Sequence, residues 1–350
     1  MLLKSLFFLF LNHYLICSES DIPVKALWVV RDFLTQKHHI DEVLDFANKN
    51  GFNHIFAQVR GRGDAYYNSE IVPKSHLVAI DFDPLDYLIK SNINSNLKVH
   101  AWINVYYLWS STNPPIQSDH LILNNPDWLD RFKGDNYIKE EIYLRNKNRF
   151  IIDGEGFYLA PTNPAVNRYL IRVVDELSKK YNLDGIHYDY IRFHNSRYGF
   201  NKVGIQDFNK KNINKINSNE EVLLSEFKRN SITKFVKKAS HTIRSNSNKI
   251  IISAAVKPNI YDAKLLFFQE WDLWLSAGYI DWAVPMNYMV DNDDFVQNMY
   301  MIKDNLPLKY HNQIVVGIST YNQSAKSAGR KILRLKKMQF NNISIFSYSE

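Results

Sequence analysis

Eight short β-rich runs, set apart by helical patterns, limit what this chain can fold into more than any other feature. The runs are Val24–Val30, Ile55–Val59, Val99–Val105, Gly185–Ile191, Ile250–Val256, Ile280–Met286, Ile314–Ile318 and Ile343–Phe346. Apolar residues at helical spacing fill Ile40–Asn50, Pro84–Ser91, Pro164–Tyr181, Phe227–Arg244, Phe268–Ala277, Phe295–Asn305 and Ser324–Met338. Strands joined by helices make right-handed crossovers and a parallel sheet. Eight such units predict an α/β fold, a (β/α)8 TIM barrel spanning residues 24–350. An open doubly wound sheet would show a glycine-rich phosphate turn after its first strand. Arg31-Asp32-Phe33-Leu34 stands there instead. Surplus length falls at residues 106–163, a long insertion after strand three on the active-site side. The polar stretch Asn209–Asn219 reads as an exposed loop.

Composition narrows the class. A chain that is 45% hydrophobic and 14% aromatic can offset its ordering entropy, so disorder is excluded. A single Cys excludes a disulfide scaffold and a Cys-rich zinc site. The net charge of +7 comes from scattered Lys and Arg, with no basic arm, so no nucleic-acid partner is expected. At the start, Lys4 precedes an apolar core, Leu6–Leu11, followed by Leu15-Ile16-Cys17-Ser18. That pattern is too short to span a bilayer and reads as a signal peptide over residues 1–18. An exported protein of the periplasm or cell envelope is therefore expected. Cys17 is a candidate for lipid attachment to the membrane, although Ile16 stands where a small residue usually precedes an acylated Cys.

In such a barrel, chemistry gathers at the strand C-termini. His100, Trp102 and Asn104 recur at a period of two and so share one face of strand three. Arg60 and Asp64 follow strand two, Tyr190 and Arg192 follow strand four, and Lys257 follows strand five. Asn287 and Tyr288 end strand six, and Tyr321 follows strand seven. Aromatic rings with directional donors suit a sugar. Asp189 ends an apolar strand two places after His187, where a buried carboxylate needs a partner or a task. Arg192 or Arg60 could keep it ionised for attack on an anomeric carbon. A glycosidase needs a second carboxyl. Glu270 beside Trp271 is the first candidate, with Asp272, Asp262, Asp291 and Asp64 competing. Arg31, Arg60, Arg62 and Lys257 are expected to gather at one mouth of the barrel, where they could grip an anionic glycan.

Several blocks resemble the glycosyl-hydrolase-like 10 family. They are Tyr158-Leu159-Ala160-Pro161, Asn163-Pro164-Ala165-Val166, Tyr181 through Tyr190, Gln58-Val59-Arg60 with Gly63-Asp64, Trp102, Gln269 through Leu275 with Gly278 and Asp281, and Pro285-Met286-Asn287-Tyr288. The resemblance runs in order from about Lys25 to the C-terminus. It departs at Glu270, where the family often has Asp, and at the basic Arg60-Gly61-Arg62-Gly63. It implies a barrel related to retaining glycosidases, with the strand-four Asp as nucleophile. It also implies an aminosugar glycan such as peptide-free peptidoglycan strands as substrate, and no cofactor. A monomer is expected. Two other functions stay open at this point: a glycan-binding barrel without turnover, and a metal-dependent deacetylase using His187 and Asp189.

Overall fold

A computed structural model describes residues 22–134, 150, 154–213 and 219–348. Residues 1–18, expected from sequence to be a signal peptide, and Cys17 among them lie outside the described residues. Among the described residues ten strands follow in order: β1 Lys25–Val29, β2 His54–Arg60, β3 Lys98–Asn104, β4 Tyr107–Trp109, β5 Phe157–Tyr158, β6 Gly185–Asp189, β7 Ile251–Val256, β8 Trp282–Pro285, β9 Val316–Ser319 and β10 Ile343–Phe346. Eight pair in parallel in the order β8-β7-β6-β3-β2-β1-β10-β9. Two parallel bridges, Ala283 to Ile314 and Met286 to Gly317, join the outer strands and close the ring. The α/β barrel expected from the alternation is thus present. The insertion adds the antiparallel pair β4–β5 above it.

Local sequence explains the helices. Asn163 caps Pro164–Lys180 by accepting from the Ala165 N–H, and Pro164 occupies the first turn, where its missing donor costs nothing. Val166, Tyr169, Leu170, Val173, Val174 and Leu177 bury one stripe against the barrel. Full burial of each aliphatic side chain stabilises by ~1.5–3 kcal/mol. The expected loop at 209–219 is partly helix: Lys202–Asn212 is helical under an Asn201 cap, and Phe208 anchors it. Its Asn and Lys residues sit on a solvated helix face, which a reading by composition takes for a loop. The short helix Ile260–Leu266, capped by Asn259, was too short to register as a period.

Two cores form. The larger lies between strands and helices. The smaller fills the barrel with Ala26, Trp28, Phe56, Trp102, Ala255, Val284 and their neighbours. Below them His54 Nδ1 and His100 Nε2 lie 2.8 Å apart, and Trp282 stacks on His100. No helix of the described residues is long and apolar enough to cross a membrane.

Candidate active site

A cleft of about 910 Å³ opens at the C-terminal ends of the strands. Trp28, Trp102, Met286 and Phe346 form its apolar floor. The Trp28 ring meets Trp102, at 4.8 Å, and Phe346, at 5.7 Å, edge to face. Tyr107, Tyr190, Tyr288 and Tyr321 stand around it.

Asp189 ends β6 opposite Asn104 of β3 and is 6% exposed. Its Oδ1 accepts the Tyr190 N–H at 2.7 Å. Tyr190 holds φ +49°, a left-handed conformation that a bulky residue rarely adopts. That turn ends the strand abruptly and sets the Tyr190 ring flat on Tyr107, with centroids 4.5 Å apart. Burial raises the Asp189 carboxyl to about 6, against the pull of the Tyr190 N–H and Arg192.

Arg192, 4% exposed, pairs with Glu155 and acts on Asp189 through its charge. Its Nη2 donates to both oxygens of Glu155, at 2.9 and 3.2 Å, and its Nη1 to the Phe193 and His194 carbonyls, each at 3.2 Å. The Tyr158 hydroxyl also donates to Glu155 Oε2. Burial opposes charge on Glu155, but Arg192 and Tyr158 outweigh it and hold the carboxyl below its usual range. Lys257 completes the cluster. Burial, then the nearby Arg192, lowers its ammonium, while Glu155 and Asp189 pull the other way. The two carboxyls of the cleft are thus pushed in opposite directions, Asp189 towards its protonated form and Glu155 towards its ionised form.

Of the residues singled out from sequence, Asp189, Trp102, Asn104, Tyr190, Arg192, Lys257, Tyr288 and Tyr321 line the cleft. Arg31, Arg62 and Asp262 line it too, whereas Glu270, Arg60, Asp64, Asn287, His100 and His187 lie elsewhere. Glu270 sits at the start of the helix Trp271–Ser276, with Arg229 at 3.3 Å and Lys264 at 3.9 Å. It belongs to the helical layer, because the chain has already left the rim through Ile260–Leu266. Arg60 is fully buried and donates to the Asn104 and Val105 carbonyls. Asp64 accepts the Arg62 N–H at 3.0 Å within the same turn. Asn287 faces the helix Asn292–Asn305, donating to the Phe295 carbonyl and accepting from Asn298.

His100 and His187 share the inward face with Asn104 and Asp189, as period two requires. Each step of two residues along a strand also changes depth by roughly 7 Å. His100 therefore reaches the barrel bottom. His187 sits mid-barrel, with Nδ1 2.8 Å from Ser253 Oγ and its ring stacked on Phe56. A metal-dependent reaction using His187 beside Asp189 lacks its geometry, and the described residues contain no group of three or more His, Cys, Asp or Glu that could hold a metal ion.

Glu155 escaped the sequence reading. Its one signal was the Gly154-Glu155-Gly156 turn, which looked like loop punctuation. Gly156 has φ +126°, and a Cβ there would strike the Trp109 carbonyl, so glycine lets β5 close on β4 beside the carboxylate.

Known proteins resemble this chain in sequence and in fold. Glycosyl hydrolase YngK of Bacillus subtilis (strain 168) is 21% identical over 306 residues, 77% of this chain and 55% of its own. Glycosyl hydrolase DigH of Escherichia coli O6:H1 is 26% identical over 313 residues, 77% of this chain and 66% of its own. The chain thus spans between about half and two thirds of these relatives. Among solved structures, the PgaB (BpsB) glycoside hydrolase domain from Bordetella bronchiseptica superposes with a TM-score of 0.70 at 11% identity, covering 93% of this chain and 94% of that one. Alpha-L-fucosidase isoenzyme 2 from Paenibacillus thiaminolyticus gives 0.64 at 15%, covering 93% and 46%. At such identities the likeness is one of fold. Residues 23–327 match the family described as Glycosyl hydrolase-like 10, and the chain belongs to it.

Proposed function

We propose that this protein hydrolyses glycosidic bonds in an aminosugar-containing glycan such as peptide-free peptidoglycan strands, with retention of configuration. The observation that carries the proposal is the Asp189–Arg192–Glu155 group set in an aromatic cleft. Asp189, with one oxygen held by the Tyr190 N–H, attacks the anomeric carbon and breaks the bond to the leaving sugar. Glu155 replaces Glu270 as the second carboxyl. Arg192 and Tyr158 hold it ionised in the free site, so it takes up a proton from solvent before giving that proton to the leaving oxygen, and it then takes one from the water that releases the glycosyl intermediate. The names of the relatives support a hydrolase of glycans, and the family match over residues 23–327 includes every residue of this group.

A second reading, a glycan-binding barrel without turnover, is favoured by one observation. Arg192 and Tyr158 already occupy both Glu155 oxygens. Incubation with peptide-free glycan strands, followed by mass analysis of products, separates the two. Cleavage by the wild type that disappears in Asp189→Asn supports the hydrolase; binding by both proteins with no product supports the binder. We also propose that the protein is exported, with Cys17 as a site of lipid attachment, and acts as a monomer. An intact Met1 on protein from its native host refutes export.

A further inference from the structure

Four cations line the cleft, and they are of two kinds. Arg192 and Lys257 stand beside Asp189 and Glu155, whose charges balance them. Arg31 and Arg62 lie on the flank formed by the ends of β1 and β2, and neither makes an ion pair among the described residues. Both are nevertheless held in place. Arg31 Nη1 donates to Gln58 Oε1 at 3.0 Å. Its side chain crosses Gly61, where a Cβ would come within 2.6 Å of Arg31 Cδ, so only glycine leaves the arm its path. The Arg62 backbone is fixed at both ends, its N–H by Asp64 and its carbonyl by His120 Nε2 at 2.7 Å, and its guanidinium lies 5.9 Å from the Trp109 ring centre.

The opposite flank differs in sign. There the helices after β7 and β8 present Asp262, Asp294, Gln297 and Asn298 to the cleft. A guanidinium matches a carboxylate with two parallel hydrogen bonds, and two guanidiniums held on one flank without a carboxylate partner among the described residues are a receptor for one. We propose that Arg31 and Arg62 form a subsite for a sugar ring that bears a carboxylate. The subsite selects acidic over neutral glycans and sets the direction in which the strand lies. It rests on the reading of the cleft as a glycan site. β1 is three strands from β6, or roughly 14 Å around the rim. The acidic ring therefore binds beside the ring that reacts at Asp189.

Calorimetric titration of the Asp189→Asn protein with three tetrasaccharides tests this: peptide-free peptidoglycan (lactyl carboxylate), hyaluronan (uronate) and chitotetraose (neutral). The expected result is about tenfold tighter binding of at least one acidic sugar than of chitotetraose, shrinking several-fold as salt rises from about 50 to about 500 mM. Adding Arg31→Gln and Arg62→Gln should bring the acidic and neutral affinities within about twofold, while the Lys pair keeps part of the preference and so controls for folding. A preference that survives the Gln pair overturns the assignment to these two residues. Equal binding of all three sugars overturns the subsite and leaves the glycan reading standing. Binding of none overturns both.

Discussion

At the scale of single residues, the site carries both strain and misplaced charge. Tyr190 is left-handed and the Asp189 carboxyl is raised to about 6 by burial. A carboxyl raised in the fold stabilises it below the unfolded value near 3.8, and that contribution is lost as pH rises through about 6. At pH 7 the ionised Asp189 thus costs on the order of 2–3 kcal/mol. Asp189→Asn should therefore melt no lower than the wild type, while cleavage falls by several orders of magnitude. A mutant that melts lower, or one that still turns over, contradicts the reading. Because the ionised form attacks, cleavage should fall on acidification through about pH 6. Glu155→Gln leaves buried Arg192 short of its partner. With Glu155 45% exposed, screening reduces the loss to about 1–2 kcal/mol. Its cleavage should drop ~10²–10⁴-fold. For an activated substrate needing no protonation, added azide should restore turnover, and absence of rescue would count against Glu155 as the acid and base.

Among elements, the β4–β5 pair matters most, because it brings a carboxylate from the insertion over the barrel mouth. Its register, Tyr107 with Tyr158, also places the Tyr158 hydroxyl on Glu155. Gly156→Ala forces a Cβ against the Trp109 carbonyl in a backbone conformation that suits glycine alone. A loss of about 2 kcal/mol or more is expected, with cleavage falling further than the unfolded fraction explains. Chemical denaturation alongside activity reads both. Unchanged cleavage would mean that the hairpin does not position Glu155.

For the whole molecule, burial moves acids and bases in opposite directions. Burial lowers His54 to about 4 and His187 to about 3, so the fold keeps both neutral. For such bases the unfolded chain binds more protons, and stability is lost as pH falls below 6.5. Between pH 6.5 and about 5 the two together cost ~4 kcal/mol. Asp189 at about 6 and Asp130 at about 7 take up protons in the fold over the same range and return ~3 kcal/mol. Burial lowers His100 and His120 as well, so the bases outweigh the acids and stability should decline on acidification. Asp189→Asn removes part of the compensation, so its stability should fall ~1 kcal/mol more steeply than the wild type on acidification. Urea midpoints measured at both pH values decide this, and parallel curves would refute it.

The barrel was legible in the sequence because hydrophobic period is a local property. A strand shows it over five residues and a helix over ten, and the missing phosphate-turn glycine after β1 removed the main rival topology. Asp189 was legible for the same reason, since a carboxylate ending an apolar run stands out wherever the run folds. Depth and distance were not. His100 and His187 share a face with Asn104 and Asp189 but fill the barrel below them, because alternation encodes facing and leaves height to the register of neighbouring strands. Arg60 and Arg62 are two residues apart, yet one is fully buried and the other lines the cleft. Glu155 lies 34 positions before Asp189 in a turn without period, and Glu270 sits in a motif that resembled the family's. Closure of β4 on β5 brought the first to Arg192, and the Ile260–Leu266 excursion carried the second into the helical layer. Such pairings are long-range contacts, made only when the sheet closes, so tertiary structure alone decided them.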